Sequence, residues 1–242
     1  MSTPVRLTEV ELSTPSPRAD AAELADLGFL PSPDRVTGGG SAQVLRTCAD
    51  PYGCRVVLRP GARAAVTRLT WRPGDGEHFE RMVGVLERRD GLGDLVASAG
   101  RVGDGYRVEH PGGATTELHW RQDREWAAGP AMSCPLHPEG STQLCVEHPP
   151  LIVGVDVPAP AGALERWMTE VLGLVPTAWD LLAPAGAAGP ELRAAPEGGA
   201  GLRVRSGRAH AGRAWTTSGG LRLSVVADAS WRVGELESEA LF

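Results

Sequence analysis

Residues 10–31 read V-E-L-S-T-P-S-P-R-A-D-A-A-E-L-A-D-L-G-F-L-P, and residues 155–176 read V-D-V-P-A-P-A-G-A-L-E-R-W-M-T-E-V-L-G-L-V-P. Each stretch begins with a short apolar-alternating strand and continues through a Pro-rich turn into an amphipathic helix. Each then ends in Leu-Gly, two apolar residues and Pro. Because this order of elements occurs twice, we predict that the chain is built from repeated strand–helix units.

The sequence between the two copies continues the pattern. After the first strand (5–12) and helix (17–28), the predicted elements are strands at 42–48 and 54–59, a strand at 64–71, a helix at 77–89, and strands at 95–97, 105–109 and 115–120. The C-terminal part is predicted to hold a helix near 161–172, a low-complexity Gly/Ala/Pro loop starting at Pro184, and strands near 202–206, 214–217 and 221–227. No fourth unit is predicted there.

Composition excludes several classes of function. The formal charge of −6 argues against nucleic-acid binding, because phosphate contacts need a basic surface. No apolar run reaches the 18 residues of a membrane span, and the N-terminus lacks the basic start and apolar core of a signal peptide. We therefore expect a cytoplasmic protein without a membrane partner. All 24 basic residues are arginine, which together with the Ala/Gly/Pro content is typical of GC-rich bacterial coding.

The pattern resembles the vicinal oxygen chelate superfamily, which includes glyoxalase I, bleomycin-resistance proteins and the type I extradiol dioxygenases. The resemblance is carried by Asp26-Leu-Gly-Phe29, by Val171-Leu-Gly-Leu174, and by Y-R-V-E-H-P-G-G-A-T-T-E-L-H at 106–119. It implies an α+β fold of repeated βαβββ units forming cupped half-barrel sheets. The implied division is a paired βαβββ domain at 1–122, a Cys/His/Pro-rich linker at 123–150, and a second, incomplete βαβββ domain at 151–242.

In metal-dependent members of this superfamily, His and Glu ligands project into the cup from the first and last strands of the two units. Carried onto this chain, the ligand positions fall on Thr8 or Glu9, Val57, Thr67 and Glu117, and in the C-terminal copy on Val153 or Gly154. A divalent metal needs about three or four N or O ligands. The resemblance therefore implies a metal-poor cup with no cofactor.

Four polar residues are the candidate catalytic groups. Strand alternation places Glu9 and Glu11 on one face of the first strand, and Glu117 and His119 on one face of another. If both faces point into the cup, three carboxylates and an imidazole converge, and repulsion raises the pKa of Glu117 so that it can donate a proton. The alternative is that these polar faces are exposed to solvent. Trp71, Trp120, Trp126 and Trp167 are either walls of the cup or core residues.

The linker carries a second motif, C-x2-H-x7-C-x2-H, formed by Cys134, His137, Cys145 and His148. Two short-spaced pairs of such ligands can hold a structural zinc ion. The spacing between the pairs is short for a zinc finger, and the alternative is a Pro-rich loop with scattered Cys and His. Cys48 and Cys54, which flank a predicted hairpin loop, are interpreted as small apolar residues rather than a disulfide.

These observations favour a small-molecule enzyme of the vicinal oxygen chelate class, with acid–base or templated chemistry of the isomerase, cyclase or lyase type. Its expected setting is bacterial metabolism, with specialised metabolism as one candidate. One alternative is a non-catalytic small-molecule binder or drug-sequestering resistance protein. Another is a metal-dependent enzyme of the glyoxalase or dioxygenase kind. The expected partner is an organic small molecule, and a homodimer is the candidate assembly. Arginines near the C-terminal strands (Arg203, Arg205, Arg208 and Arg213) either hold an anion or form a solvated face.

Overall fold

A computed structural model describes residues 5–31, 42–46, 54–88, 96–110, 113–120, 150–157, 165–176, 181–184, 191–194, 199–205 and 212–226. Within these ranges the chain forms two mixed β-sheets with helices at their sides. None of the helices found there has the length and apolar character needed to cross a membrane.

The first sheet is built from two consecutive βαβββ units. Its elements are β1 (Arg6–Thr14), α1 (Pro17–Asp26), β2 (Leu30–Pro31), β3 (Gln43–Arg46), β4 (Arg55–Pro60), β5 (Ala65–Arg72), α2 (Gly76–Arg88), β6 (Ser98–Val102), β7 (Gly105–Glu109) and β8 (Thr115–His119). The strand order is β2-β3-β4-β1-β5-β8-β7-β6. The first strands of the two units, β1 and β5, pair antiparallel at the centre, and each pairs in parallel with the last strand of its own unit. The predicted α+β fold of βαβββ units is confirmed.

The second sheet repeats this order with fewer elements. They are β9 (Leu151–Val157), α3 (Trp167–Val171), β10 (Leu174–Pro176), β11 (Leu181–Pro184), β12 (Glu191–Ala194), β13 (Gly201–Arg205), β14 (Ala214–Thr216) and β15 (Arg222–Val226). The strand order is β10-β11-β12-β9-β13-β15-β14. Strand by strand this matches the first sheet, with β9 and β13 in the places of β1 and β5, and the described residues supply no counterpart of β6.

Three details of the sequence-based prediction are wrong. The predicted loop from Pro184 contains β12, and a fourth unit does exist, formed by β13, β14 and β15. Residues 206–213 separate β13 from β14, and the described residues of this unit include no helix. The strand predicted at 95–97 is β6, at Ser98–Val102. The domain limits at 122 and 150 stay predictions, because residues 121–149 lie outside the described ranges.

The duplicated Leu-Gly phrase ends a helix in both sheets. Gly28 has a φ of 102° and Gly173 a φ of 65°, a region of backbone conformation that glycine adopts without steric cost. At the first site, the Gly28 amide donates to Ala25 O (2.8 Å) and the Phe29 amide to Leu24 O (3.1 Å). The turn sends the fully buried Phe29 side chain back into the core.

The helices cover one face of the first sheet. Leu24 and Leu27 of the α1 region and the α2 residues Phe79, Met82, Val83 and Leu86 are buried in one apolar cluster with strand residues of that face. That cluster includes Val10, Leu12, Val56, Leu58, Leu69, Trp71 and Leu118. Burial of such side chains contributes about 1.5–3 kcal/mol each to folding. Since alternate strand residues point to opposite faces, the residues between them form the other face of the sheet.

Contacts between the two halves use a helix of one and a hairpin turn of the other. The Asp20 carboxylate on α1 is buried and accepts hydrogen bonds from the Gly219 amide (2.9 Å) and the Thr14 hydroxyl. Glu23, one turn later, accepts from Trp215 Nε1 (2.8 Å) and the Ser218 amide (3.2 Å).

On the other side of the molecule, the His110 ring packs edge-on against the indole of Trp167 on α3, with centroids 4.8 Å apart. Trp71 and Trp167 are fully buried core residues, and Trp120 packs against the core. These three tryptophans are therefore core residues rather than walls of the cup. Trp126 lies outside the described ranges.

Candidate functional site

The face of the first sheet opposite α1 and α2 carries charged side chains on five adjacent strands, β4, β1, β5, β8 and β7. We call this face the first cup. Its ionisable residues are Glu9, Glu11, Arg55, Arg59, Arg68, Arg107, Glu117 and His119. They form a continuous ion-pair network in which acidic and basic groups alternate from strand to strand.

Arg68 on β5 is the centre of the network. Its Nη2 donates to Glu9 Oε1 (2.8 Å) and to Glu11 Oε2 (2.8 Å), both on the neighbouring strand β1. Its Nη1 lies 3.7 Å from Oε1 of Glu117, on the strand at its other side. One guanidinium therefore links the three carboxylates that the sequence predicted to converge.

Further arginines hold each carboxylate from the outside. Arg55 Nε donates to Glu9 Oε2, and Arg59 Nε donates to Glu11 Oε2 at 2.7 Å. Arg107 places Nε (2.8 Å) and Nη2 (2.7 Å) on Glu117 Oε1. Such charge-assisted hydrogen bonds are stronger than neutral ones and fix the orientation of both partners.

The carboxylates form the floor of the cup and the arginines lie above them. The side chains of Glu9, Glu11 and Glu117 are 4%, 10% and 10% exposed, whereas those of Arg68 and Arg107 are 18% and 44% exposed. A molecule that enters the first cup therefore meets guanidinium groups before it meets a carboxylate.

The electrostatics of Glu117 differ from the sequence-based expectation. Burial alone would raise the pKa of this carboxyl, but the hydrogen bond with His119, the charge of Arg68 and the hydrogen bond with Arg107 lower it to about 2. The pKa of Arg68 is raised by the same network. Burial opposes the charge of its guanidinium, but the negative charges of Glu9, Glu11 and Glu117 stabilise it. The expected protonated carboxyl at Glu117 is wrong, because the arginines that neutralise the cup were not included in the reasoning.

The four predicted catalytic residues do share this face. Glu9 and Glu11 project from β1, and Glu117 and His119 project from β8, with His119 Nε2 3.3 Å from Glu117 Oε2. The alternative of solvent-exposed carboxylates is wrong, since all three are buried.

The four arginines of the first cup were missed by sequence reasoning. Residue alternation in β5 is irregular: Val66, Leu69 and Trp71 are all in the core, which needs a spacing of three and then two. The register between β1 and β5 shifts at this point, so that Thr67 and Arg68 both reach Glu11. The useful signal in the sequence was the irregular spacing of the apolar residues, which marks a bulge and turns Arg68 toward the cup.

Positions where the superfamily resemblance placed metal ligands have other contacts. Thr8 Oγ1 donates to Thr70 O (3.1 Å), Thr67 Oγ1 donates to Glu11 Oε1 (3.1 Å), and Val57 is fully buried between Arg55 and Arg59 on β4. In the part of the chain that the structure describes, no three His, Cys, Asp or Glu side chains are grouped so as to hold a metal ion. Cys134, His137, Cys145 and His148 lie outside the described ranges, so the linker zinc stays a prediction.

The second sheet has a smaller polar cluster on its central strands, which we call the second cup. Asp156 on β9 accepts two hydrogen bonds from Arg193, at 3.0 and 2.8 Å, and lies 3.8 Å from Arg203 Nε. Glycine makes room for both charged groups. A Cβ at Gly154 would collide with the Arg203 guanidinium, and one at Gly201 would lie 2.9 Å from Asp156 Oδ2.

A cavity of about 420 Å³ opens where α1 meets β14. Its lining residues are Glu23, Asp26, Leu27, Arg213, Ala214 and Trp215. Both oxygens of Glu23 are already used by Trp215 and the Ser218 amide. The cavity is therefore a gap at the contact between the two halves, on the α1 side of the first sheet and opposite the first cup.

Comparison with known proteins gives structural matches alone. Neither a protein-family model nor a curated protein sequence matches the chain. Among solved structures, 2,2',3-trihydroxybiphenyl 1,2-dioxygenase from Sphingomonas wittichii strain RW1 matches with a TM-score of 0.59 and 13% identity, covering 93% of this chain and 91% of that one. The 2,3-dioxygenase LapB from Pseudomonas sp. KL28 matches with a TM-score of 0.57 and 13% identity, covering 92% of each chain.

A third match is a variant of homoprotocatechuate 2,3-dioxygenase from B. fuscum, with a TM-score of 0.58 and 14% identity over 93% of this chain and 71% of that one. These proteins are extradiol dioxygenases, and the similarity extends over both sheets of the present chain. At this level of identity it establishes the architecture and leaves the chemistry to the residues of the site. The chain therefore has the two-sheet, βαβββ-repeat fold of the vicinal oxygen chelate superfamily.

Proposed function

We propose that this protein binds an organic small molecule in the first cup directly through its side chains, without a metal ion in that cup. The observation that carries the proposal is the position of Arg68, whose guanidinium sits between Glu9, Glu11 and Glu117. These are the carboxylates that a cation in the cup would need as ligands. A fixed guanidinium among them occupies their oxygens and repels a second cation.

The donor chemistry of the first cup does not fit a divalent metal. Each of the three carboxylates accepts a hydrogen bond from at least one arginine, and Thr8, Val57 and Thr67 stand where the superfamily resemblance placed His and Glu ligands. We derive no step that passes through a metal. Binding by arginine, hydroxyl and carboxylate groups is the chemistry that the cup residues support.

The pKa of Glu117 favours ligand binding without turnover over a mechanism in which Glu117 acts as a general acid. A general acid near neutral pH needs a pKa close to the working pH, whereas the pKa of Glu117 is lowered to about 2 by its cationic neighbours. One observation favours the enzyme alternative: Glu117 holds His119 by its Nε2, as a carboxylate does when it orients a histidine base. Templated chemistry with His119 is therefore the second candidate function.

The proposal is tested on purified protein before and after dialysis against a chelator. We expect metal-free protein to keep its binding of small organic molecules in a thermal-shift screen, and bound ligands to be recovered unchanged after long incubation. Conversion of a recovered ligand would favour the enzyme alternative instead.

The linker motif provides the control for metal content. A metal lost on changing Cys134, His137, Cys145 and His148 to Ala belongs to the linker and leaves the proposal intact. A stoichiometric metal that survives those changes but is lost from Glu9→Gln or Glu117→Gln protein would contradict it.

A further inference from the structure

We infer that the ligand of the first cup is an organic anion, a carboxylate or a group of similar shape, held by Arg68 and Arg107. This inference rests on the proposed binding role of the cup and adds the chemical class of the ligand. It is carried by the position of Arg68 and Arg107 above the carboxylates and by the donors that these two arginines leave unused.

The arginines of the first cup lie above its carboxylates. The side chains of Arg68 and Arg107 are more exposed than those of Glu9, Glu11 and Glu117. A ligand that approaches this face therefore meets guanidinium groups first.

Arg68 and Arg107 retain N–H groups that can bind a ligand. Nη2 of Arg68 donates hydrogen bonds to Glu9 and Glu11. Its Nη1 lies 3.7 Å from Glu117 Oε1, which is beyond hydrogen-bond distance. Its Nε also has no hydrogen-bond partner among the described residues, but it is buried, which leaves Nη1 as the donor of Arg68 for a ligand. Nε and Nη2 of Arg107 both contact Glu117 Oε1, and the Arg107 side chain is 44% exposed.

The two guanidiniums are held in place before any ligand arrives. Arg107 is anchored by its two contacts with Glu117, and Arg68 by hydrogen bonds to the two carboxylates of β1. A guanidinium group that is already held in one orientation loses little side-chain entropy when it binds a planar carboxylate. A neutral molecule of the same size would gain only weaker hydrogen bonds, and a cation would be repelled by the guanidiniums.

Glu117 competes with the ligand for these donors. It remains ionised across the physiological pH range because its pKa is about 2, and so it offsets part of the positive charge of the cup. Replacing it by glutamine removes that charge and keeps the side-chain shape. An anion-binding role thus predicts that Glu117→Gln strengthens ligand binding, whereas a role as general acid or metal ligand predicts a loss.

The test is calorimetric titration with three probes that share one ring, benzoate, benzamide and benzylamine. We expect wild-type protein to bind benzoate at least about tenfold more tightly than benzamide, and to bind benzylamine more weakly than either. Glu117→Gln should tighten benzoate binding by about fivefold and leave benzamide unchanged. Arg107→Gln should weaken benzoate binding by about tenfold.

Arg101→Gln is the matched control, because Arg101 is an exposed arginine of the same sheet that pairs with Glu80 outside the cup. It should bind benzoate like the wild type. Circular dichroism of each variant identifies any that fail to fold, and Arg107→Gln and Glu117→Gln test the inference from opposite directions.

Two results would overturn the inference. Equal affinity for benzoate and benzamide would refute the anion class while leaving small-molecule binding by the cup intact. Weaker benzoate binding by folded Glu117→Gln would refute the assigned role of Arg68 and Arg107. If none of the three probes binds and the thermal-shift screen is also negative, the proposed function itself fails.

Discussion

The two sheets share one strand order but differ in their polar faces. In the first, three buried carboxylates surround Arg68 on the central strands. In the described part of the second, Asp156 is the carboxylate that lies between Arg193 and Arg203, and Gly154 and Gly201 stand where the first sheet carries larger side chains. The apolar faces specify the same fold in both, so the chemistry of the opposite face can vary without changing the topology.

The largest expected difference between the sheets follows removal of their central arginines. Arg68→Met leaves three buried carboxylates close together, and we expect it to lower the free energy of unfolding by about 4 kcal/mol. Arg203→Met leaves Asp156 with both hydrogen bonds from Arg193, and should cost about 1 kcal/mol. Chemical denaturation monitored by circular dichroism measures both values. Equal losses would show that the two cups are energetically alike.

An acid titration isolates the contribution of the first cup. The pKa of Glu117 is about 2 in the folded protein and about 4.3 in an unfolded chain, so its ionised form favours folding. That stability is fully present above about pH 4.5 and is lost as the pH falls toward 2. At about 1.4 kcal/mol per pKa unit, the contribution is about 3 kcal/mol.

Melting temperatures of wild-type and Glu117→Gln protein between pH 2 and pH 7 check this expectation. The difference between the two should be large at pH 7 and should vanish near pH 2. Glu80→Gln serves as the surface control, since Glu80 is exposed and its pairing with Arg101 is screened by salt. Parallel pH profiles for wild type and Glu117→Gln would contradict the ion-pair account of the cup.

The smallest expected effects concern the glycines beneath the charged groups. A Cβ at Gly105 would lie 2.5 Å from His119 Nδ1 and 2.8 Å from Leu118 O, so Gly105→Ala must displace backbone of the neighbouring strand. A Cβ at Gly154 meets the guanidinium end of the Arg203 side chain and no backbone atom among its nearest contacts. We expect Gly105→Ala to cost about 2 kcal/mol and Gly154→Ala about 1 kcal/mol. Thermal denaturation of the two variants measures the order, and a reversed order would show that Arg203 is held more rigidly than His119.

The fold could be predicted from the sequence because its decisive features are local. The turn that ends each of these helices needs a residue that can adopt positive φ, and Gly28 and Gly173 supply it at equivalent places in the two sheets. Strand alternation likewise placed Glu9, Glu11, Glu117 and His119 on one face. Strand β12 was not predictable in the same way, because its four residues lie within Gly/Ala/Pro-rich sequence that carries no clear period.

The electrostatics of the site could not be predicted because they depend on neighbours in space. The pKa of Glu117 is governed by Arg68 and Arg107, which lie on two other strands. The irregular apolar spacing of β5 indicates a bulge, but the carboxylate that Arg68 meets there depends on the register of the β1–β5 pair. Carboxylate positions were therefore correct while their expected ionisation was wrong.

The short β13–β14 connection breaks the internal symmetry of the molecule, and this difference can be used in protein engineering. On one side α2 packs against α3. The described residues place no helix of the fourth unit beside α1, and the 420 Å³ cavity lies there, bounded by Leu27 and Trp215. Arg213, at the end of the 206–213 connection, lines this cavity. The connection is thus the natural place to graft a helix, a reporter or a second binding element onto this scaffold.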